Sequence, residues 1–275
     1  MAVQAQRLIV NEQGNSVCDA IGNTYPQCAA DARIVSLVPS VTELLCDLNL
    51  TAELVGRTGF CIHPKDKLKT VAKVGGTKNV NLDKVRELKP THAIVNIDEN
   101  REELYHELIS FVPNVFVTHP TAPRDNIDLY LGLGALFNRT READALVREF
   151  QRKEQALARH ENPDAQTVLY LIWKDPWMAV NADTYISEML RLINWKTVCG
   201  DSKDRYPEVI LEEFAGKVDR VLLSTEPYSF KDKHCIEVAT MFPANTQVNL
   251  VDGEMLSWYG SRAIAGLDYL ESLVK

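Results

Sequence analysis

Aromatic and charged side chains collect in the loops that follow the apolar runs of this sequence. An aromatic ring offers a large, stiff and flat contact surface, and Arg or Lys can hold a carboxylate, an amide or a phosphate. Any one of these aromatics is equally well explained by loop anchoring, but their number at strand ends favours the binding of a flat organic molecule. The candidate ligand-binding residues are Phe60, His63, Thr77, Lys78, Asp98, Asn100, Trp173, Trp177, Tyr206, Trp258, Tyr259 and Arg262.

Histidine and cysteine are the residues that could hold a metal ion. His63 is the best-placed axial ligand because imidazole binds many transition metals, although a single loop histidine is more often simply polar. The six cysteines include no CxxC pair and no zinc-like spacing. Cys46 and Cys199 fit buried free thiols, and the pairing of Cys18 with Cys28 depends on the redox compartment. We therefore predict no resident metal or cofactor, with His63 as a weak metal ligand.

An enzyme is the first alternative to a binding protein. The sequence has no P-loop, GxGxxG, HExxH or GxSxG motif. The glycines of 132–137 lie inside a helical pattern and form no phosphate loop. A chelatase would need His and acidic side chains to converge, for which His63, Asp98 and Glu99 are the candidates. We predict that the protein is not an enzyme and keep a chelatase-like enzyme as an alternative.

The composition describes an acidic globular protein. It has 275 residues, 45% of them hydrophobic, and a net charge of -8. This charge disfavours nucleic-acid binding and adhesion to anionic membranes, but not a basic protein partner. No apolar stretch approaches the roughly 20 residues of a membrane span, and no secretory signal is visible. We expect a periplasmic protein if a signal has been removed, and otherwise a cytoplasmic one.

Strand and helix signals alternate along the chain, which favours the α/β class. The run 33–40 reads as a buried strand, and the following SVTE as a capping box in which Ser40 and Glu43 cap a helix. Further strands are predicted at 53–57, 92–97, 114–118, 167–173, 220–224 and 247–251. Further helices are predicted at 82–88, 99–109, 124–137, 184–195, 207–216 and about 257–273.

One segment is predicted to connect two lobes. Residues 139–160 carry an apolar stripe on a highly charged helix about 33 Å long. On either side, NLDKVRELKPTHAIV aligns with ILEEFAGKVDRVLLS without a gap, which places Asp83 opposite Glu212. The predicted organisation is an N-terminal hairpin or flap (1–32), an N-terminal lobe (33–138), the connecting helix (139–160) and a C-terminal lobe (161–275).

Three ordered motifs carry a family resemblance, namely RIVSLVPSVTELL, VGRTGFCIHP and VGGTKNVNLDKVRELKPTHAIV. With the long central helix and the closing DGEMLSWYGSR, they resemble the helical-backbone (class III) substrate-binding proteins of metal-chelate ABC importers, most of all the cobalamin-binding members. The resemblance covers nearly the whole chain from Arg33. It implies two Rossmann-like lobes joined by a single long backbone helix, with the ligand in the cleft between the lobes.

The resemblance also implies a function. A monomer would capture a cobalamin or another corrinoid, or next a ferric siderophore or haem, so that cobalt or iron comes with the ligand. It would dock on an ABC permease dimer through Asp83 and Glu212, each meeting arginines. Asp83 is one methylene shorter than the usual family Glu, and Thr77 stands where cobalamin binders often have an aromatic residue. Both acids could instead only stabilise helix N-termini, and the protein could be a cytosolic chelate binder without a transport role.

Overall fold

A computed structural model describes residues 9–10, 16–28, 31–159 and 164–274. The chain forms two compact units. Unit 1 comprises Met1–Pro120, Arg124–Phe150 and Tyr259–Arg262, and unit 2 comprises Thr121–Pro123, Gln151–Trp258 and Ala263–Lys275. The domain boundaries predicted from the sequence stay a prediction.

The N-terminal segment of unit 1 is a three-stranded antiparallel sheet of β1 (Ile9–Val10), β2 (Ser16–Cys18) and β3 (Thr24–Pro26). Although the sequence favours a flap outside the core, Val17, Ala20 and Tyr25 are buried. The Tyr25 hydroxyl donates a hydrogen bond of 2.5 Å to the carbonyl of Val115. The turn between β2 and β3 is held in place because the buried Asp19 carboxylate accepts hydrogen bonds from the amides of Ile21 and Asn23.

The main sheet of unit 1 is parallel and has five strands in the order β6-β5-β4-β7-β8. Its two central strands are buried at every residue, as is typical of a parallel sheet with both faces covered. The strands are β4 (Ile34–Ser36), β5 (Leu54–Arg57), β6 (Ala72–Lys73), β7 (His92–Asn96) and β8 (Asn114–Thr118). The helices are α1 (Pro39–Asp47), α2 (Leu82–Glu87), α3 (Glu102–Leu108) and α4 (Asp125–Leu136).

The start of α1 differs from the prediction. Pro39 is the first helical residue and Val38 is the N-cap, so the predicted capping box of Ser40 and Glu43 is wrong. Proline suits the first helical position because its ring presets φ and its missing N–H has no partner to lose. The carboxylate of Glu43 binds Arg262 instead.

The long helix α5 spans Thr140–Ala158, 19 residues or about 28 Å. Its predicted apolar stripe is present, since Ala143, Phe150 and Leu157 are buried at a spacing of seven residues. Residues 160–163, at the end of the predicted helix, lie outside the described part of the chain.

Unit 2 has a five-stranded sheet with the path β10-β9-β12-β13, and β11 also pairs with β9. Its pairs are parallel except for β10, which runs antiparallel to β9. The strands are β9 (Gln166–Trp173), β10 (Met178–Ala179), β11 (Trp195–Thr197), β12 (Arg220–Ser224) and β13 (Gln247–Val251). The helices are α6 (Tyr185–Arg191), α7 (Asp232–Ala239), α8 (Gly253–Ser257) and α9 (Arg262–Leu273).

Three predicted helices of this region are shorter than expected. The predicted helix 207–216 is only a 3-10 turn at Leu211–Phe214, because the backbone of 207–209 pairs with the segment 177–179 instead. The predicted helix 184–195 ends at Arg191, since Asn194 adopts a positive φ of 60° and β11 follows. The predicted final helix is interrupted at Gly260, where φ is 78°. In the described residues, no helix has the length and apolar character needed to cross a membrane.

Candidate functional site

Unit 2 carries a continuous aromatic cluster where β9 and β12 end. The Trp173 ring stands edge-on to Tyr228 with centroids 5.6 Å apart, and Trp177 stacks parallel to Phe230 at 6.0 Å. Tyr228 and Phe230 are 4.6 Å apart, and His234 meets both rings edge-on. Neighbouring parallel strands end at the same sheet edge, which brings these loops together. The side chain of Trp173 is 41% exposed, so this aromatic cluster offers a flat ring to solvent.

A lysine bridges the aromatic cluster to α7. Its ammonium group, on Lys174, lies 2.6 Å from both carboxylate oxygens of Glu237 and 5.3 Å from the centre of the Trp177 ring. The hydrogen bond with Glu237 raises the pKa of Lys174, and the same bond lowers the pKa of Glu237. The Lys174 charge is thus held beside the rings, where it can meet a polar substituent of a ligand.

Trp258, at the end of α8, is buried and held by a carboxylate. Its indole Nε1 donates to Glu226 Oε1 at 2.7 Å, and Ser257 Oγ donates to the same oxygen at 3.0 Å. Burial raises the pKa of the Glu226 carboxyl. A Cβ at Gly253 would lie 2.6 Å from Glu226 Cγ, so glycine is what lets α8 approach this carboxylate.

Tyr206 is the remaining predicted residue of unit 2. Its ring is exposed, and the guanidinium of Arg205 lies 5.7 Å from the ring centre. The Arg205 side chain also donates to the carbonyl of Asp183 at 3.1 Å.

The loops of unit 1 also expose apolar side chains. Phe60 is 62% exposed, and its ring lies against Gly76, where a Cβ would approach to 3.3 Å. Gly59 N donates to Gly75 O at 2.7 Å, which joins the Phe60 loop to the loop that carries Thr77. Ile62 and Ile97 are exposed as well. Of these three exposed apolar side chains, the sequence predicted only Phe60.

A buried arginine holds the loop that carries Phe60 and His63. The Arg57 guanidinium donates to the carbonyls of Leu68, Thr58 and Cys61 at 2.9–3.3 Å. Arg57 was not among the predicted site residues, because an Arg at the end of a short strand carries no signal of its burial.

The polar candidates of unit 1 form one corner. Asn100 is buried, donates to Thr77 O at 3.0 Å and accepts from Asn96 N at 2.8 Å. The Lys78 ammonium donates to Asp98 O at 3.0 Å, and the Asp98 carboxylate lies 3.4 Å from His119 Nε2. The structure therefore brings Thr77, Lys78, Asp98 and Asn100 together, with Asn100 in an internal role.

Tyr259 and Arg262 have internal partners in unit 1. Tyr259 is buried and its hydroxyl donates to Glu99 Oε1 at 2.7 Å; burial raises its pKa. Arg262 donates through two nitrogens to Glu43 at 2.7 Å each. These contacts, which the sequence did not predict, use the polar atoms that a ligand would bind.

The two predicted docking acids are exposed on different local structures. Asp83 lies in the first turn of α2 with its side chain 89% exposed, 3.0 Å from Arg86. Glu212 is exposed within the 3-10 turn Leu211–Phe214. The two segments that align in sequence, 81–95 and 210–224, therefore begin with an α-helix in one case and a 3-10 turn in the other.

The candidate metal ligands do not converge in the described residues, where no group of three or more His, Cys, Asp or Glu side chains could hold a metal ion. His63 lies in the loop after Cys61, partly buried. No disulfide bond joins Cys18 to Cys28 or links any other two of the six cysteines.

Comparisons of the sequence identify similar proteins. The model of the family described as periplasmic binding protein matches residues 34–232. The uncharacterized ABC transporter substrate-binding lipoprotein YvrC of Bacillus subtilis is 29% identical over 182 residues. The aligned part covers 62% of this chain and 56% of the length of YvrC. A vitamin B12-binding protein of Vibrio vulnificus is 23% identical over 77% of this chain and 75% of its own length.

Solved structures share the fold. The periplasmic vitamin B12 binding protein BtuF of Vibrio cholerae has a TM-score of 0.76 at 17% identity, over 89% of this chain and 97% of its own. IsdE of S. aureus, solved in complex with heme, has a TM-score of 0.73 at 20% identity, over 88% of this chain and 98% of its own. These structures confirm the predicted α/β class with two lobes. At identities of 17% and 20%, the similarity supports the fold and not the ligand.

Proposed function

This chain belongs to the periplasmic binding protein family, and from that premise we propose that it captures a metal-containing chelate and delivers it to an ABC importer. The membership confirms the resemblance predicted from the sequence. A corrinoid such as cobalamin is the favoured ligand, supported by the vitamin B12-binding relatives in both comparisons. Haem, the ligand of the similar IsdE structure, and ferric siderophores come next.

The observation that carries this proposal is the aromatic cluster of unit 2. Trp173 presents an exposed ring that Tyr228 holds edge-on, and Trp177 is fixed by stacking on Phe230. Rings held in this way lose little freedom on binding and suit the flat macrocycle of a corrinoid or a porphyrin. In unit 1, the exposed Phe60 supplies a second apolar contact.

Cobalt or iron arrives with the chelate, as cargo. His63 is the candidate axial ligand, because the loop that carries it is anchored by the Arg57 guanidinium. The activity proposed is binding and release, without a bond-making step on the organic ligand; a chelatase-like enzyme is the alternative.

A titration tests the ligand class. Hydroxocobalamin, haemin and a ferric hydroxamate siderophore are added to the purified protein while heat and visible absorbance are recorded together. We expect submicromolar binding of hydroxocobalamin, at least about tenfold tighter than the other two, which is ~1.4 kcal/mol. Tightest binding of haemin would replace the corrinoid within the same class, and no binding of any of the three would refute chelate capture. Loss of metal from the chelate would favour the chelatase alternative.

Docking on the importer is assigned to Asp83 and Glu212. Both are exposed, and the local pairing of Asp83 with Arg86 is weak enough to yield to a permease arginine, because exposed ion pairs contribute little. Two carboxylates meeting two arginines would fix both orientation and affinity. The proposal therefore includes a monomer of the protein that acts in the periplasm.

The double variant Asp83→Ala with Glu212→Ala tests this assignment. We expect unchanged chelate affinity and reduced uptake by the reconstituted importer. The matched control is Glu87→Ala with Glu213→Ala, which removes exposed acids from the same two elements and should leave uptake intact. Loss of ligand affinity in the first variant would contradict docking, and full uptake would favour a binder without a transport role.

A further inference from the structure

Unit 1 contains a cavity of about 560 Å³ beside the end of β8. It lies between the N-terminal segment, the helix α3 and the ends of β7 and β8. Ile21, Val95 and Val117 form apolar walls, and the ring of Tyr105 adds an aromatic one. Pockets for small molecules are commonly about 300–1,000 Å³ and largely apolar. This cavity therefore has the size and the walls of a small-molecule site.

Hydrogen bonds fix the wall that the N-terminal segment provides. The Asp19 carboxylate accepts from Ile21 N at 3.1 Å and from Val117 N at 3.3 Å, which ties the segment to β8. Asn23 Nδ2 donates to the Tyr105 hydroxyl at 3.1 Å, which ties it to α3. The three elements around the cavity are thus held together before any ligand binds, and preorganisation of this kind lowers the cost of binding.

The wall contributed by Ile21 lies outside the part of the chain that matches the family, which begins at residue 34. One wall of the cavity therefore comes from residues that precede the family match. It is also a feature of unit 1 alone, since every residue that lines it belongs to that unit.

One of the residues that line the cavity, Arg101, carries a guanidinium group that is suited to hold an anion. The Glu102 carboxylate has an imidazole beside it, His106 at 3.9 Å, and the Asp98 carboxylate has His119 at 3.4 Å. Arg101 also lines the cavity, and its Nε donates to the carbonyl of Lys78 at 2.9 Å. Among the described residues, no carboxylate pairs with Arg101. Guanidinium binds a carboxylate through two nitrogens at once, so Arg101 is the natural partner for an acid group.

We propose that this cavity binds a small organic acid with an apolar, ring-sized body. The body lies against Ile21, Val117 and the Tyr105 ring, and the carboxylate meets Arg101. The cavity shares Asn100 with the chelate-binding candidates of unit 1, but Trp173, Trp177 and Phe60, which carry the chelate proposal, do not line it.

Naphthoate is a suitable probe, because it joins an apolar double ring to one carboxylate, and naphthamide is its neutral counterpart. Calorimetric titration should show naphthoate binding about tenfold more tightly than naphthamide, the usual scale of a charge-assisted hydrogen bond. Arg101→Gln should abolish this difference. The control Arg148→Gln, at an exposed arginine of α5, should preserve it.

A second variant, Ile21→Trp, extends an indole ring from the apolar wall into the cavity and should weaken naphthoate binding while leaving hydroxocobalamin binding unchanged. This contrast separates failure of the cavity proposal from failure of the chelate proposal. Three results would overturn the cavity proposal: no binding of naphthoate at millimolar concentration, equal binding of naphthamide, or unchanged naphthoate affinity in Arg101→Gln. The comparison with naphthamide and the titration of Arg101→Gln do not use Ile21→Trp, so they test the proposal even if that variant fails to fold.

Discussion

Replacing Arg262 by Met should destabilise unit 1, because the Glu43 carboxylate then loses its cation inside the protein. The two side chains are only 11% and 16% exposed, and both hydrogen bonds between them measure 2.7 Å. From the sequence, Arg262 was instead predicted to contact the ligand. The two roles make different demands, since an internal ion pair supports stability and a ligand anchor supports affinity.

The magnitude follows from the burial of the pair. Removing one partner of a fully buried pair costs about 3–5 kcal/mol, and the residual exposure here reduces the expected loss to about 2–3 kcal/mol. Glu43→Gln with Arg262→Met removes both charges and should recover part of that loss. A coupling energy of about 2 kcal/mol between the two positions is expected from the double-mutant cycle.

Urea unfolding followed by far-ultraviolet circular dichroism measures these free energies. All four tryptophans lie in unit 2, so fluorescence alone would report on the wrong unit. Lys69→Met is the control, because the Lys69–Asp66 pair is exposed and should contribute less than about 0.5 kcal/mol. If Arg262→Met leaves the unfolding free energy unchanged and weakens hydroxocobalamin binding, the internal role argued here is refuted.

Three further predictions concern pH, packing and the ligand. Burial lowers the pKa of His92 from 6.5 to about 4. Between these two pH values the unfolded chain binds this proton and the folded protein does not. The free energy of unfolding should therefore fall by at most about 3 kcal/mol as the pH drops from about 6.5 to about 4. In His92→Gln, the difference between the unfolding free energies measured in urea at about pH 7 and about pH 4.5 should be smaller. A difference equal to that of the wild type would contradict this explanation. Gly253→Ala places a methyl 2.6 Å from Glu226 Cγ and should cost about 1–3 kcal/mol in thermal unfolding, whereas a wild-type midpoint would mean that α8 shifts freely. Trp173→Ala should weaken chelate binding by about 1–3 kcal/mol in calorimetry with little change in stability; unchanged affinity would move the site away from the aromatic cluster.

The buried parallel strands were predictable because each has a short, mainly apolar run at its centre. The predicted strand 220–224 is observed without change, and the predicted 92–97 differs from β7 by one residue. Two-residue strands such as β6 are too short to give a pattern. Residues 207–209 carry helix signals, yet their backbone pairs in strand fashion, since tertiary pairing overrides local propensity.

The candidate site was predictable in its residue types and less so in its roles. Arg262 and Tyr259 bind Glu43 and Glu99, which lie 219 and 160 residues away, and no local pattern reveals such partners. Tyr228 and Phe230 could have been found, because they follow the buried strand β12 much as Trp177 follows β9, which ends at Trp173. Glu226 gives no signal, since its burial depends on the approach of α8 at Gly253.

The N-terminal segment also determines how the sheet of unit 1 ends. An uncovered strand edge offers unpaired amides and carbonyls to another chain and promotes aggregation. At β8 this edge is occupied by residues 19–20, through Ala20 N to Val117 O at 3.0 Å and Val117 N to the Asp19 carboxylate. The opposite edge, β6, is only two residues long and ends in Lys73. A chain shortened to begin at Arg33 would keep the family fold but expose β8, and we expect it to associate edge to edge at concentrations where the full chain stays dispersed.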